Sequence, residues 1–134
     1  MLKPLKIFLK IILIPFIFLI VHFLFNYNRF KIDGIAAEIC SLTQGEDTRY
    51  SSGFSHYNFL KIKVGMTEAQ VRKILGKPLT VFSYDPVFDE TTFAKGHFIG
   101  LKYADSPSSD NYRLRIIHLD YGKVVRIMGE FYYD

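Results

Sequence analysis

The sequence KVGMTEAQVRKILGKP, residues 63–78, contains the clearest helix start in the chain. Thr67 and Gln70 have the spacing of a capping box, in which each side chain bonds the backbone N–H of the other residue. Met66 and Val71 occupy the positions of a hydrophobic staple across the same cap. These features predict a helix that begins directly after Thr67.

The remainder of this stretch predicts which face of the helix is buried and where the helix ends. Val71, Ile74 and Leu75 lie on one side of a helix and form its apolar face. Gly76 can adopt the left-handed conformation that commonly ends helices, and Pro78 prevents continuation. The stretch therefore predicts a short amphipathic helix with both ends defined.

Three strand-like runs, rich in β-branched and aromatic residues, follow in the C-terminal part of the chain. They are HFIGLKYA (97–104), NYRLRIIHLDY (111–121) and KVVRIMGEFYY (123–133). Short connections between successive strands predict antiparallel pairing. Arg113 and Arg115 interrupt the apolar alternation of the middle strand. We expect an antiparallel meander with one face covered by the helix and the other partly solvated.

The N-terminal segment has a long apolar stretch after three lysines at positions 3, 6 and 10. Residues 11–25 (IILIPFIFLIVHFLF) contain no charge. With Lys10 at the headgroups, the apolar stretch extends from Ile7 to Phe25 and has 19 residues. In a helix these would extend about 28 Å, close to the hydrocarbon thickness of a bilayer. We therefore predict a single transmembrane anchor over residues 1–28. A cleaved secretory signal is the alternative, but the residues after Phe25 do not suit a signal peptidase.

The basic residues around this segment predict its orientation. Three lysines precede the uncharged residues 11–25, and Arg29 and Lys31 follow them. This bias favours an N-terminus on the cytoplasmic side of the inner membrane and a domain on the periplasmic side.

Residues 29–56 are predicted to form a juxtamembrane helix and linker before an α+β domain over residues 57–134. Gly34 is a weak point in the helix, whose apolar residues recur at three- and four-residue spacings: Ile32, Ile35, Ile39 and Leu42. Residues 43–55 are polar and rich in Ser and Gly, which predicts a loop.

Two further short elements are indicated within the α+β domain. Asn58 is placed to cap a brief helical turn that includes Phe59. Val81, Phe82 and Tyr84 indicate a short strand after the capped helix.

The residues around the capped helix resemble the SmpA/OmlA (BamE-like) family of small lipoproteins that support outer-membrane protein assembly. The resemblance covers roughly residues 57–130, and the residues that carry it are Leu60, Ile62, Val64, Gly65, Met66, Thr67, Gln70, Val71, Leu75, Gly76 and Pro78. It implies an αα-βββ domain in which two helices pack on a three-stranded antiparallel sheet. It also implies a non-enzymatic role, in which the domain binds other proteins of the machinery that inserts β-barrels.

The chain differs from this family at its N-terminal side. Family members are lipidated at a cysteine soon after a signal peptide, whereas Cys40 follows Ala37, Glu38 and Ile39 instead of small residues. Because Cys40 is the single cysteine, an intrachain disulfide is excluded. Cys40 is therefore not expected to be lipidated, and the lipid attachment of family members to the outer membrane is not expected here.

The sequence offers little support for metal or catalytic chemistry. The four histidines, at positions 22, 56, 97 and 118, have no Cys or carboxylate at a recognised metal-ligand spacing. His22 is expected at the membrane interface, and His97 and His118 could be neighbours on adjacent strands. The acidic cluster Asp85, Asp89 and Glu90 is best explained as a solvated loop. We therefore expect no metal, no cofactor and no enzymatic activity.

Charge and aromatic content define the expected partners. The net charge is +4, and three lysines at the N-terminus account for most of it, so nucleic-acid binding is not expected. Phe131, Tyr132 and Tyr133 form a candidate partner surface, although packing on the domain's own core would also explain them. We expect a membrane-held binding module with an envelope protein as partner. The alternative is a membrane-anchored inhibitor or immunity-type protein built on the same fold.

Overall fold

The structure is a computed structural model that describes residues 2–83, 98–108 and 110–133, with side chains from residue 10 onward. In these residues the chain forms four helices and five strands. They are α1 (Leu2–Phe25), α2 (Tyr27–Gln44), β1 (Arg49–Tyr50), α3 (His56–Phe59), α4 (Glu68–Leu75), β2 (Thr80–Ser83), β3 (Phe98–Asp105), β4 (Tyr112–Asp120) and β5 (Lys123–Tyr132). The α+β class is confirmed. The acidic cluster at 85, 89 and 90 and His97 lie outside the described residues.

The strands form one antiparallel sheet around the meander β3–β4–β5, as predicted. The prediction of only three strands was wrong, because two short strands also pair with β3. Strand β1, within the stretch predicted as a loop, pairs Arg49 with Asp105. Strand β2 confirms the short strand indicated around Phe82 and pairs with β3 from Lys102 to Ile99. Both short strands therefore lie along the same edge of β3.

Helix α4 begins and ends as its sequence predicts. The capping box is present, because the Thr67 N–H donates to Gln70 Oε1 at 2.8 Å and the Gln70 N–H donates to Thr67 Oγ1 at 3.3 Å. Val71 and Leu75 are fully buried against the sheet. Gly76 ends the helix at a φ of 80°.

One capping prediction was wrong. Ser55, not Asn58, caps helix α3, because the Ser55 hydroxyl accepts a hydrogen bond from the Asn58 N–H at 3.4 Å. The Asn58 side chain instead accepts a bond from Lys61 Nζ at 2.9 Å. The helix therefore begins three residues earlier than expected, and Phe59 at its end is buried in the core.

The core lies between the helices and one face of the sheet. Helices α3 and α4, the turn after α3 and strands β3, β4 and β5 contribute its buried residues, which are Phe59, Ile62, Val71, Leu75, Leu101, Tyr103, Ile117, Leu119 and Val124. Ile32 of α2 also packs against this cluster. The helices therefore cover one face of the meander, as the sequence predicted.

Helix α2 is broken at Gly34, which has φ 83° and ψ 175°. Its location confirms the predicted helix and its break at Gly34. Ile32 packs on the core, whereas the large aliphatic residues after the break are exposed: Ile35, Ile39 and Leu42. The buried side after the break includes Glu38, which pairs with Arg29 and Arg113.

The transmembrane anchor predicted over residues 1–28 receives no support from the structure. Among the residues described, none of the helices combines the length and the apolar character needed to cross a membrane.

Gly129 of β5 determines how closely α2 approaches the sheet. A Cβ at this position would lie 2.5 Å from Ile32 Cγ2 and 3.8 Å from the Arg115 side chain. We expect Gly129→Ala to lower the free energy of unfolding by about 1–3 kcal/mol, because the contact is overpacked. Chemical unfolding of the full-length chain in detergent, followed by circular dichroism, measures this change.

The double variant provides the control for Gly129. Ile32→Ala removes the atom that the new Cβ would meet, so the two substitutions should cost less together than the sum of their separate costs. Strict additivity would contradict the close approach of Ile32 to Gly129.

Candidate functional site

The Gly65-Met66-Thr67 segment joins helix α4 to the turn between β4 and β5. The Gly65 N–H donates to Val124 O and the Val124 N–H donates to Met66 O, both at 2.8 Å. The Glu68 N–H donates to Gly122 O at 2.9 Å. Gly65 has a φ of 89°, which favours glycine. These bonds fix the start of the helix on the hairpin.

The other end of the motif is attached to the opposite edge of the meander. The hydroxyl of buried Tyr103 donates to Gly76 O at 3.1 Å, and burial raises the pKa of Tyr103 to about 12. Beyond Pro78, the Leu79 N–H donates to Lys102 O at 2.8 Å and leads into β2. The motif residues at both ends of α4 therefore position the helix across the sheet.

A buried ion network, which we define as Asp33, Glu38, Arg113 and Arg115, joins α2 to β4. All four side chains are fully buried. Asp33 Oδ2 accepts hydrogen bonds from Arg113 Nη1 and, at 2.5 Å, from Arg115 Nη2. Arg113 Nη2 lies 2.9 Å from Glu38 Oε1. Two carboxylates of one helix thus neutralise two guanidinium groups on the core face of the sheet.

Partly exposed groups extend this network towards α1. Glu46 Oε2 accepts from Arg113 Nε at 2.7 Å. Arg29 Nη2 lies 3.2 Å from Glu38 Oε2, and His22 Nε2 lies 3.5 Å from the same oxygen. The end of α1, both parts of α2 and β4 therefore meet around the Glu38 carboxylate.

The electrostatics of Arg113 show how the network tolerates burial. Burial disfavours the charged guanidinium, but the Glu46, Asp33 and Glu38 carboxylates together outweigh it and raise the pKa of Arg113. The Arg113 guanidinium also lies over the Phe131 ring, 5.1 Å from its centroid. The charged form is stabilised, so the network holds α2 in one position on the sheet.

Sequence reasoning missed this network and interpreted Arg113 and Arg115 only as interruptions of a strand. Residues two apart on a strand share one face, so two arginines on an apolar face were a signal for buried acidic partners. Asp33 and Glu38, in a helix with few other charges, were the complementary signal.

A second cluster surrounds His56 at the start of α3. Its ring lies 5.2 Å from the Tyr50 ring and 5.1 Å from the Phe54 ring, measured between centroids. Burial, with a smaller contribution from the nearby Arg115 charge, lowers the pKa of His56 to about 3. His56 is therefore neutral in the folded chain at physiological pH.

This shift predicts acid sensitivity. The folded-state pKa lies below the ordinary value of 6.5, so the unfolded chain binds the proton first as pH falls. The contribution of neutral His56 to the free energy of unfolding is fully present above pH 6.5 and is lost as the pH falls towards 3. We expect His56→Phe to reduce the loss of unfolding free energy between about pH 7 and pH 5 by about 1–2 kcal/mol. Denaturation of both chains at the two pH values measures it, and equal losses would contradict the prediction.

Two clefts border these clusters. An apolar groove of about 240 Å³ lies between the helices and β5 and is lined by Ile32, Phe59, Leu60, Ile62, Ile127 and Gly129. A polar cleft of about 440 Å³ is lined by Gln44, Gly45, Glu46, Asp47, Asp110 and Asn111.

Hydrogen bonds from Ser108 and Ser106 lower the pKa of Asp47. The Asp47 carboxylate is therefore already bound by the 106–108 loop.

The C-terminal aromatic residues do not share one face. Phe131 and Tyr133 contact each other at 4.9 Å between ring centroids. Tyr132 stacks on Tyr112 of β4 at 5.1 Å, with 9° between the ring planes. Tyr132 and Tyr133 are 39% and 59% exposed. The proposed partner residues thus surround the end of the outer strand β5.

The remaining candidate residues are dispersed. Cys40 is buried, and its thiol lies 3.4 Å from Gln44 Oε1. His118 lies on β4, with its ring 6.5 Å from the Phe82 ring, far in sequence and topology from His22 at the end of α1. In the described part of the chain, His, Cys, Asp and Glu side chains form no group of three or more that could hold a metal ion.

Comparison with known proteins gives one similarity. Residues 57–91 match the family model described as the outer membrane protein assembly factor BamE domain. The described part of this match contains α3, the capped helix α4 and β2. No curated protein and no solved structure gives a significant match. The similarity therefore covers the segment that contains the Gly65-Met66-Thr67 motif and helices α3 and α4.

Proposed function

We propose that this protein is a non-enzymatic binding module of the cell envelope, held at a membrane and accessory to the assembly of outer-membrane β-barrel proteins. The observation that carries the proposal is the match of residues 57–91 to the BamE assembly-factor domain. Within this segment the hydrogen bonds of Gly65 and Met66 to the β4–β5 hairpin give the motif a structural role in joining helix and sheet. A rigid α+β surface suits protein binding.

Helix α1 provides the attachment in this proposal. Most of its described apolar residues are exposed, from 41% at Val21 to 85% at Phe25. A helix that is apolar all round is stable when lipid or protein covers it. We propose that lipid of the inner membrane covers α1 and that the sheet domain lies on the periplasmic side, because lysines precede the segment.

The partner surface in this proposal is the end of β5. Phe131, Tyr132 and Tyr133 place aromatic rings on both sides of this outer strand, next to the stacked Tyr112. Tyrosine rings offer large contact areas at low conformational cost, which favours them at protein interfaces.

A crosslinked pull-down of tagged, full-length protein from detergent-solubilised membranes tests the function. Enrichment of β-barrel assembly components, identified by mass spectrometry, is the expected result. A variant with Tyr132 and Tyr133 replaced by Ser should lose most of this enrichment. Recovery of one abundant partner unrelated to assembly would contradict the proposal and would favour an inhibitor or immunity-type role.

A further inference from the structure

The second part of α2, residues 35–44, buries a charged residue and exposes large aliphatic residues, the reverse of the usual arrangement in a surface helix. Ala37, Glu38 and Cys40 face the sheet and are buried. Ile35, Ile39 and Leu42 are 54%, 51% and 43% exposed. Their spacing of four and three residues places all three on one face of the helix. The segment therefore buries a carboxylate and exposes a row of large aliphatic side chains.

The exposed face of this segment carries no charge. Its exposed residues are Ile35, Ala36, Ile39, Leu42, Thr43 and Gln44. A helix on the surface of a soluble domain ordinarily turns charged residues towards water. An uncharged face with three large aliphatic residues is typical of a contact surface.

The position of Glu38, on the opposite side of the helix from this face, places the segment beside the end of α1. The Glu38 carboxylate lies 3.5 Å from His22 Nε2 and 3.2 Å from Arg29 Nη2. The middle of the segment is therefore level with the last turn of α1. Beyond His22, Leu24 and Phe25 of that turn are 71% and 85% exposed. Lipid that surrounds this turn therefore lies at the level of the segment, whose exposed face is turned away from the sheet.

From this placement we propose that Ile35, Ile39 and Leu42 contact the acyl-chain boundary of the membrane that holds α1. The inference rests on the proposed membrane attachment. Lipid fits this face because it is uncharged and belongs to a segment that lies beside the exposed, apolar last turn of α1. The segment contains no Lys or Arg, so burial of apolar area, not attraction to anionic headgroups, drives the contact. The buried ion network then holds the sheet at a fixed orientation to the bilayer.

Single tryptophans test this contact cleanly, because the chain contains no tryptophan. Ile39→Trp places the probe on the proposed lipid face. Val64→Trp is the matched control, because Val64 is also an exposed β-branched residue, at 68%, but lies in the loop before α4. Both full-length variants are reconstituted into phosphatidylethanolamine–phosphatidylglycerol vesicles that contain lipids brominated on their acyl chains.

In vesicles that retain the protein on flotation, Ile39→Trp should lose about half or more of its emission to the brominated chains, since interfacial helices bury their apolar face at the acyl boundary. Val64→Trp should keep its emission and remain accessible to acrylamide. Flotation with equal emission from both variants would overturn the lipid contact while leaving membrane attachment intact. Protection of Ile39→Trp from acrylamide without bromine quenching would show that protein, in these vesicles another copy of the chain, covers the face, and would overturn the lipid contact too. Failure to float would overturn the attachment, and this inference with it.

Discussion

Asp33→Asn is expected to lower the free energy of unfolding by about 3–5 kcal/mol. Asp33 Oδ2 accepts hydrogen bonds from both Arg113 and Arg115, and all three side chains are fully buried. The substitution keeps the shape of the side chain but removes the negative charge between two guanidinium groups. Their mutual repulsion and their desolvation are then uncompensated.

Asp105→Asn is the matched control. Asp105 pairs with Arg49 at 3.2 Å, and the Arg49 side chain is 57% exposed. An exposed pair of this kind contributes about 1 kcal/mol or less. Urea denaturation of both variants in detergent, followed by circular dichroism, measures the difference. Equal small losses would contradict the burial of the network.

Leu75→Ala is expected to lower the free energy of unfolding by about 2–5 kcal/mol. Leu75 is only 1% exposed and, with Val71, forms the part of α4 that packs most deeply on the sheet. Removing its side chain leaves a cavity in the core between α4 and the sheet that the eight-residue helix cannot readily fill.

Leu60→Ala provides the control for Leu75, because it removes the same atoms at a site that is 40% exposed. We expect its cost to be less than half that of Leu75→Ala, since much of the side chain already contacts solvent. Denaturant midpoints of the two full-length variants compare them, and a larger loss from Leu60→Ala would contradict the assigned core.

The elements that depend on local sequence signals were predictable. The capping box of Thr67 and Gln70 and the stop at Gly76 defined α4, because caps act through bonds within a few residues. The three long strands followed from runs of β-branched and aromatic residues separated by short turns. In these segments, local preference and tertiary packing favour the same structure.

The orientation of α2 was not predictable from its own pattern. Its aliphatic spacing predicts an amphipathic helix but does not determine which side packs on the sheet, and the structure buries the side that carries Glu38. The reason is a partner more than 70 residues away, Arg113 on β4. A helix alone gives no information about such a partner, and an ion pair across that separation outweighs the local apolar pattern.

The short strand β1 escaped prediction for a related reason. Its two residues lie in a polar stretch, and they are extended because they pair with the end of β3. Pairing with a distant strand, not local propensity, determines their conformation.

Photocrosslinking from Tyr133 in intact cells tests the proposed function most directly. A photoreactive residue replaces Tyr133 in one variant and Tyr57 in the other, because both tyrosines are 59% exposed but lie on β5's end and on α3, respectively. We expect Tyr133 to yield an adduct with a component of outer-membrane β-barrel assembly, and Tyr57 to yield little of it. An adduct from Tyr133 with only an unrelated enzyme or toxin would contradict the assembly role.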